Sequence, residues 1–224
     1  MDSNRKTAII VGILFLIATI IIIIGGIFSF SIYEPNYLTA VATNKNNIIL
    51  GALLEIVAIA AIIGIPIAMF PLLKKYNESL ALSYVAIRII EGLTIFLNTI
   101  ILLSILALSQ EYTNSVTPDV LFFQTSGTLL LTVREQISIL VDFSFPIGAF
   151  IFNYLLYKTK RIPRWISILG LIGGALWFIT TPFRLFGFSP ELIDILALPI
   201  AAQEMILAIW LIIKGFNSSK NTSE

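Results

Sequence analysis

The chain contains no cysteine and no histidine. Their absence excludes disulfides, thiol nucleophiles, zinc sites built on Cys or His, haem with a His ligand, and imidazole general bases. Charge is scarce as well. Only 12% of the 224 residues are Asp, Glu, Lys or Arg, against roughly a quarter in an average soluble domain. The formal net charge is +1, so there is no basic footprint for nucleic acid, which is excluded as a partner. No H-E-x-x-H helix, Walker lysine loop or glycine-rich dinucleotide turn occurs. Without histidine, Ser126-Gly127 is not a protease nucleophile motif. No cofactor is expected.

Apolar surface is what the chain has in excess. Hydrophobic residues make up 58% of it, and the mean hydropathy is +0.97. A soluble fold of this size could not hide that much, so the lipid bilayer is the expected solvent. A hydrocarbon core of about 30 Å needs roughly 20 apolar residues in a helix. Six segments qualify: about Thr7 to Phe30, Asn47 to Leu72, Ser79 to Leu108, Thr128 to Tyr157, Pro163 to Arg184, and Pro190 to Lys214. None alternates with period two, which disfavours a barrel. The expected fold is therefore all-α, a polytopic bundle of six transmembrane helices. Arg5 and Lys6 precede the first segment as they would in a signal peptide. Its apolar run is too long for an h-region and no small-residue cleavage site follows, so it reads as a retained helix. Residues 1–216 read as one transmembrane domain. Residues 217–224 (NSSKNTSE) read as a disordered cytoplasmic tail.

Basic residues orient the bundle. One set of loops carries Arg5, Lys6, Lys74, Lys75, Lys158, Lys160, Arg161, Arg164, Lys214 and Lys220, and the opposite set only Lys45 and Arg184. Arg88 and Arg134 fall inside spans. The positive-inside rule then puts both termini in the cytoplasm of a multi-pass cytoplasmic-membrane protein. The third loop, Ser109 to Asp119, is polar and acidic. The stretch from Asp119 to Tyr157 is too long for a single span at about 1.5 Å per residue. The sequence predicts a short external helix over Val120 to Gln124 and a bend near Gly127, with a re-entrant half-helix as the alternative. Gly170 and Gly174 form a small-xxx-small pair for close helix packing. Pro66, Pro146 and Pro199 lie within spans, and each frees the carbonyl four residues earlier: Ile62, Asp142 and Ile195.

Ionisable residues at membrane depth carry the functional signal. They are Glu55, Arg88, Glu91, Arg134, Glu135, Asp142 and Glu204, with Asn98 and Gln203 beside them. Each charge costs at least about 2.5–3.5 kcal/mol at the bilayer centre by insertion scales, so these groups must face protein or water. Arg88 and Glu91, three apart, share a helix face and can pair. Arg88 is also expected to reach an acid on another helix, Glu204 or Glu55. Arg134 points about 100° away from Glu135 and can reach a different helix. The spacing suggests one interior site supplied by four helices, with the first and fifth acting mainly in packing. Two arginines against five carboxylates leave a net −3 if all are ionised. Either some carboxylates hold protons or a cation enters.

At Tyr84-Val-Ala-Ile-Arg88-Ile-Ile-Glu91-Gly92 the chain resembles the prokaryotic integral-membrane family catalogued as domain of unknown function four-three-eight-six. Further matches are Ser3-Asn4-Arg5-Lys6-Thr7-Ala8, Leu50-Gly51-Ala52-Leu53-Leu54-Glu55, Lys74-Lys75-Tyr76-Asn77-Glu78, Leu108-Ser109-Gln110-Glu111-Tyr112, Pro163-Arg164-Trp165, Gln203-Glu204-Met205 and Lys214-Gly215-Phe216-Asn217. The resemblance implies a multi-helix inner-membrane protein and brings no catalytic residues. It covers Glu55, Arg88, Glu91 and Glu204, while Asp142 lies outside the matched segments. The leading expectation is transport of a small solute or cation, proton-coupled or not, through the interior cluster. A non-catalytic structural, sensory or lipid-binding role, and a lipid-modifying enzyme working by carboxylate acid/base chemistry, are the alternatives. The expected partners are the bilayer and a small solute or cation, with homo-oligomerisation left open.

Overall fold

The computed structural model describes residues 3–186 and 190–217, with the side chains of 190–194 set aside. The described residues are helical, with seven α-helices and no strand. These are α1 (Ser3–Phe28), α2 (Tyr37–Thr43), α3 (Lys45–Leu73), α4 (Glu78–Asn114), α5 (Val120–Thr159), α6 (Arg164–Leu185) and α7 (Pro190–Ile213). A 3-10 turn at Phe30–Tyr33 links α1 to α2. Six helices, all but α2, are long and apolar enough to cross a membrane. Lipid offers no partner for backbone N–H and C=O groups, so each span closes its hydrogen bonds internally as a helix. Outward faces carry Leu53, Ile67, Leu82, Leu93 and Ile172, all more than half exposed, as side chains meeting acyl chains should be.

The long helices pack in chain order and α7 returns to α1, closing a ring. Both ends of the described chain lie at one end of this ring, the terminal end. There Arg5 Nη1 and Nη2 donate to the carbonyls of Leu211 (3.1 Å) and Ile212 (2.6 Å), supplying partners to the last turn of α7. Asn217, read from sequence as the start of a disordered tail, donates its backbone N–H to the Arg161 carbonyl at 2.7 Å. The rest of that tail lies outside the described residues. The opposite, distal end holds the turn at Phe30–Tyr33, α2 and the overhanging parts of α4 and α5.

Apolar packing falls into two clusters. The larger, around Phe15, Met69, Tyr84, Phe152 and Leu211, fills the terminal half. The smaller, around Ile32, Val41, Ile48, Leu102 and Leu106, lies at the distal end.

Three expectations about the fold need correction. First, α5 is one continuous helix of 40 residues, about 60 Å long, with neither a separate short helix over Val120 to Gln124 nor a re-entrant half-helix. Asp119 caps it by accepting from Phe122 N. Its overhang is held by neighbours: Tyr37 donates to the Gln124 carbonyl, and Phe123 meets Tyr112 edge-on at 5.5 Å. Gly127 breaks nothing. It is where Tyr37 crosses, and a Cβ there would collide with the Tyr37 hydroxyl. Second, the segment after α1 is a packed helical cap rather than a plain loop, with α2 against α4. Third, Gly174 makes only ordinary contact, at 3.7 Å from Ala149 Cβ. The close approaches on α6 are Gly170, facing the Asn153 amide, and Gly173, whose Cβ would meet Ile200 N at 2.7 Å.

Candidate functional site

The interior polar residues form three sets, not the single site expected from spacing. The first lies in the terminal half. Arg88 Nη1 meets Glu91 Oε2 at 3.0 Å, with both side chains 4% exposed. Arg88 also sits over the Phe145 ring at 5.9 Å, and its Nε is buried without a partner. Across the ring from α4, Thr19 donates to Glu204 Oε2 at 3.2 Å, and Gln203 donates to Asn153 Oδ1 at 3.1 Å. Arg88, Glu204, Gln203, Asn153, Phe15 and Tyr84 enclose a cavity of only about 10 Å³, no more than room for a single water. Stacked rings line it: Tyr84 on Phe152 at 4.9 Å, and Phe152 on Phe15 at 5.8 Å.

The second set lies between the two apolar clusters. Arg134 Nη2 meets Glu55 Oε1 at 2.9 Å, while Thr99 donates to Glu55 Oε2 at 2.6 Å. Arg134 Nη1 donates to the Asn98 carbonyl. Asn98 Nδ2 donates to Ser138 Oγ at 2.9 Å, and Ser138 donates back to the Arg134 carbonyl at 3.0 Å. Three helices are thereby tied together through one guanidinium.

The third set joins α5 to α6. Arg184 pairs with Asp142, Trp177 Nε1 donates to Asp142 Oδ1 at 3.3 Å, and Thr181 donates to the Asp142 carbonyl at 3.0 Å. That carbonyl is the one Pro146 frees from the helix ladder, so Thr181 supplies the partner the proline removes.

A larger cavity, about 510 Å³, opens at the distal end between the 3-10 turn, α2, α5 and α6. Arg134, Ser138 and Arg184 belong to the second and third sets and line it, together with Glu34, Glu135 and Thr132. Glu135, expected in the interior, is exposed and faces this space.

Several site expectations change accordingly. Arg88 pairs with Glu91, but Glu55 is engaged by Arg134, and Arg88 shares a small cavity with Glu204. The first and fifth spans are not only packing elements, since α1 supplies Thr19 and α6 supplies Trp177, Thr181 and Arg184. Arg184, counted as a loop charge, is in the last turn of α6. With it, three arginines face Glu55, Glu91, Asp142 and Glu204, so the interior sum is −1 rather than −3. Trp177, Thr181 and Arg184 recur at i, i+4 and i+7, a helical stripe that was legible in the sequence. Among the described residues no three carboxylates come together in a way that could hold a metal ion.

A closed ring of six apolar helices with ion pairs inside it and a charged cavity at one end defines a polytopic helical membrane protein. The family described as Domain of unknown function (DUF4386) matches residues 10–215, and the chain belongs to that family. All three polar sets fall within the matched residues. No curated protein and no solved structure matches the chain.

Proposed function

We propose that the protein binds a small polar solute in the distal cavity and passes it across the membrane, with coupling to a proton at the Arg88, Glu91 and Glu204 set. The observation that carries this reading is the change in width along the ring. A charged cavity of about 510 Å³ ends on the Arg134 and Arg184 ion pairs, and the interior then narrows to about 10 Å³ at Arg88 and Glu204. Asn153 and Gln203 line the narrow section beside Arg88 and Glu204, so its wall is polar as well as apolar. Arg88, Glu91 and Glu204 sum to −1 when all are ionised. One proton neutralises that excess, and the dispersal of the carboxylates favours a proton over a metal cation. Lys74, Lys75, Lys160 and Arg161 in the loops at the terminal end support a cytoplasmic position for that end by the positive-inside rule, which would turn the distal cavity outward.

Two measurements test this, and the absence of native cysteine makes single-cysteine labelling clean. Thr159→Cys is expected to stay unlabelled by a membrane-impermeant maleimide in intact cells and to label in inside-out vesicles. The reverse pattern would invert the orientation. Thr132→Cys is expected to label from outside, while Gln203→Cys and Ile200→Cys stay protected at rest and label from the cytoplasmic side after a pH step or solute addition. If both deep positions stay unreactive under every condition while the variants remain folded, transport is overturned. The buried charges then only fix helix packing, a reading favoured by the arginine partner that Glu55, Glu91 and Asp142 each have.

A further inference from the structure

In the distal cavity both arginines are already paired with carboxylates, while two acidic acceptors are free. Arg134 gives Nη1 to the Asn98 carbonyl and Nη2 to Glu55. Arg184 gives Nη1 to Asp142. The hydroxyls of Ser138, Thr132 and Tyr37 donate to the carbonyls of Arg134, Thr128 and Gln124. By contrast, the carboxylates of Glu34 and Glu135 are exposed on the cavity, and neither has a cationic partner among the described residues. Next to Ser138, the Asn98 Oδ1 atom is buried without a donor. Arg134 and Arg184 against Glu34, Glu55, Glu135 and Asp142 sum to −2.

We infer that the solute is a small organic cation, an ammonium whose N–H groups bind the free carboxylates of Glu34 and Glu135 in the distal cavity. This rests on the solute-binding reading above and names its chemical class. An anion would enter a space already in negative excess, with both guanidiniums held by the carboxylates beneath them. A cation corrects the excess and supplies the donors that these carboxylates lack. Tyr33 also lines the cavity and is 72% exposed, offering a ring face of the kind on which ammonium ions rest. The volume suits a small organic molecule, within the roughly 300–1,000 Å³ usual for such sites. The ammonium can come from a free amine or from a lipid headgroup, and the two sources are separable.

The test uses the full chain carrying Thr132→Cys in phosphatidylglycerol nanodiscs, which contain no ammonium headgroup, and reads the rate of labelling by an uncharged maleimide. The probes are ethanolamine, ethylene glycol and glycolate, matched in size and differing in charge. Ethanolamine is expected to slow labelling saturably, while the other two leave the rate unchanged. Adding Glu135→Gln or Glu34→Gln is expected to raise the half-protecting concentration about tenfold, the loss of one charge-assisted hydrogen bond. Melting temperatures should hold, because both side chains are exposed. Slow labelling in phosphatidylethanolamine nanodiscs without added probe supports the ammonium and assigns its source to the lipid. Protection by glycolate, equal protection by all three probes, or protection by none overturns the cation while leaving an open cavity in place. A Thr132→Cys variant that never labels, though folded, removes the cavity and the solute-binding reading with it.

Discussion

Replacing Arg88 by alanine is expected to destabilise the detergent-solubilised protein by about 3–5 kcal/mol, the usual cost of stranding one partner of a buried pair. Arg88 and Glu91 are each 4% exposed, so water cannot solvate the carboxylate left behind. Glu204 lines the same small cavity as Arg88 and adds a second negative group to a site that has lost the guanidinium lining it. Lys75→Ala, which strips an exposed charge from the α3–α4 loop, is the control and should leave the melting temperature in place. The double variant Arg88→Met, Glu91→Leu should recover most of the loss, because apolar groups of similar volume strand no charge. Thermal unfolding followed by tryptophan fluorescence reads all three. Equal melting temperatures for Arg88→Ala and Lys75→Ala would show that no buried pair exists.

The second large effect is steric. Gly173 lies where α6 meets α7, and a Cβ there would stand 2.7 Å from Ile200 N and 2.9 Å from its Cα. Backbone atoms cannot step aside by changing rotamer, so the two helices must separate. Overpacking of this kind costs about 1–3 kcal/mol. Gly173→Ala should therefore lower the melting temperature, and Gly173→Leu should lower it further. Gly174→Ala, facing Ala149 Cβ at an ordinary 3.7 Å, should be neutral or gain up to about 1 kcal/mol from the better helix propensity of alanine. Propensity alone predicts the same sign for both alanine variants. Opposite signs identify the α6–α7 contact as the determinant, and matching gains would remove it.

Some of the site was readable before folding because it is local. Arg88 and Glu91 are three residues apart on one helix, so their pairing follows from the pitch of an α-helix. The carbonyl freed at Asp142 follows from Pro146 in the same way. Its partner does not, because Thr181 lies 39 residues further along. Arg184 was misplaced for a related reason. Charge counting treats a residue at the end of an apolar run as a loop residue, yet Arg184 sits in the last turn of α6 and reaches Asp142. The separate external helix expected before Gly127 does not form: excess length suggested it, but α5 runs on past the bundle and its overhang is held by Tyr37 on the Gln124 carbonyl and Tyr112 on Phe123.

The sequence by itself determined the solvent, the helical class and the six spans, because hydropathy and the need to satisfy backbone groups in lipid act on each segment independently. It also determined which residues must avoid lipid, since a charge costs the same wherever its helix stands in the bundle. Only the tertiary structure decided which of those residues meet. Arg134 chooses Glu55 over its neighbour Glu135, and Asp142 finds Arg184, through the order of helices in the ring and their relative height. Height is set by close contacts such as Gly173 on Ile200 and Tyr37 on Gly127, each between residues far apart in the chain. The distal cavity belongs to the same level, since it is the space left where the overhang of α5 and the cap formed by α2 do not fill the ring, and no single segment encodes it.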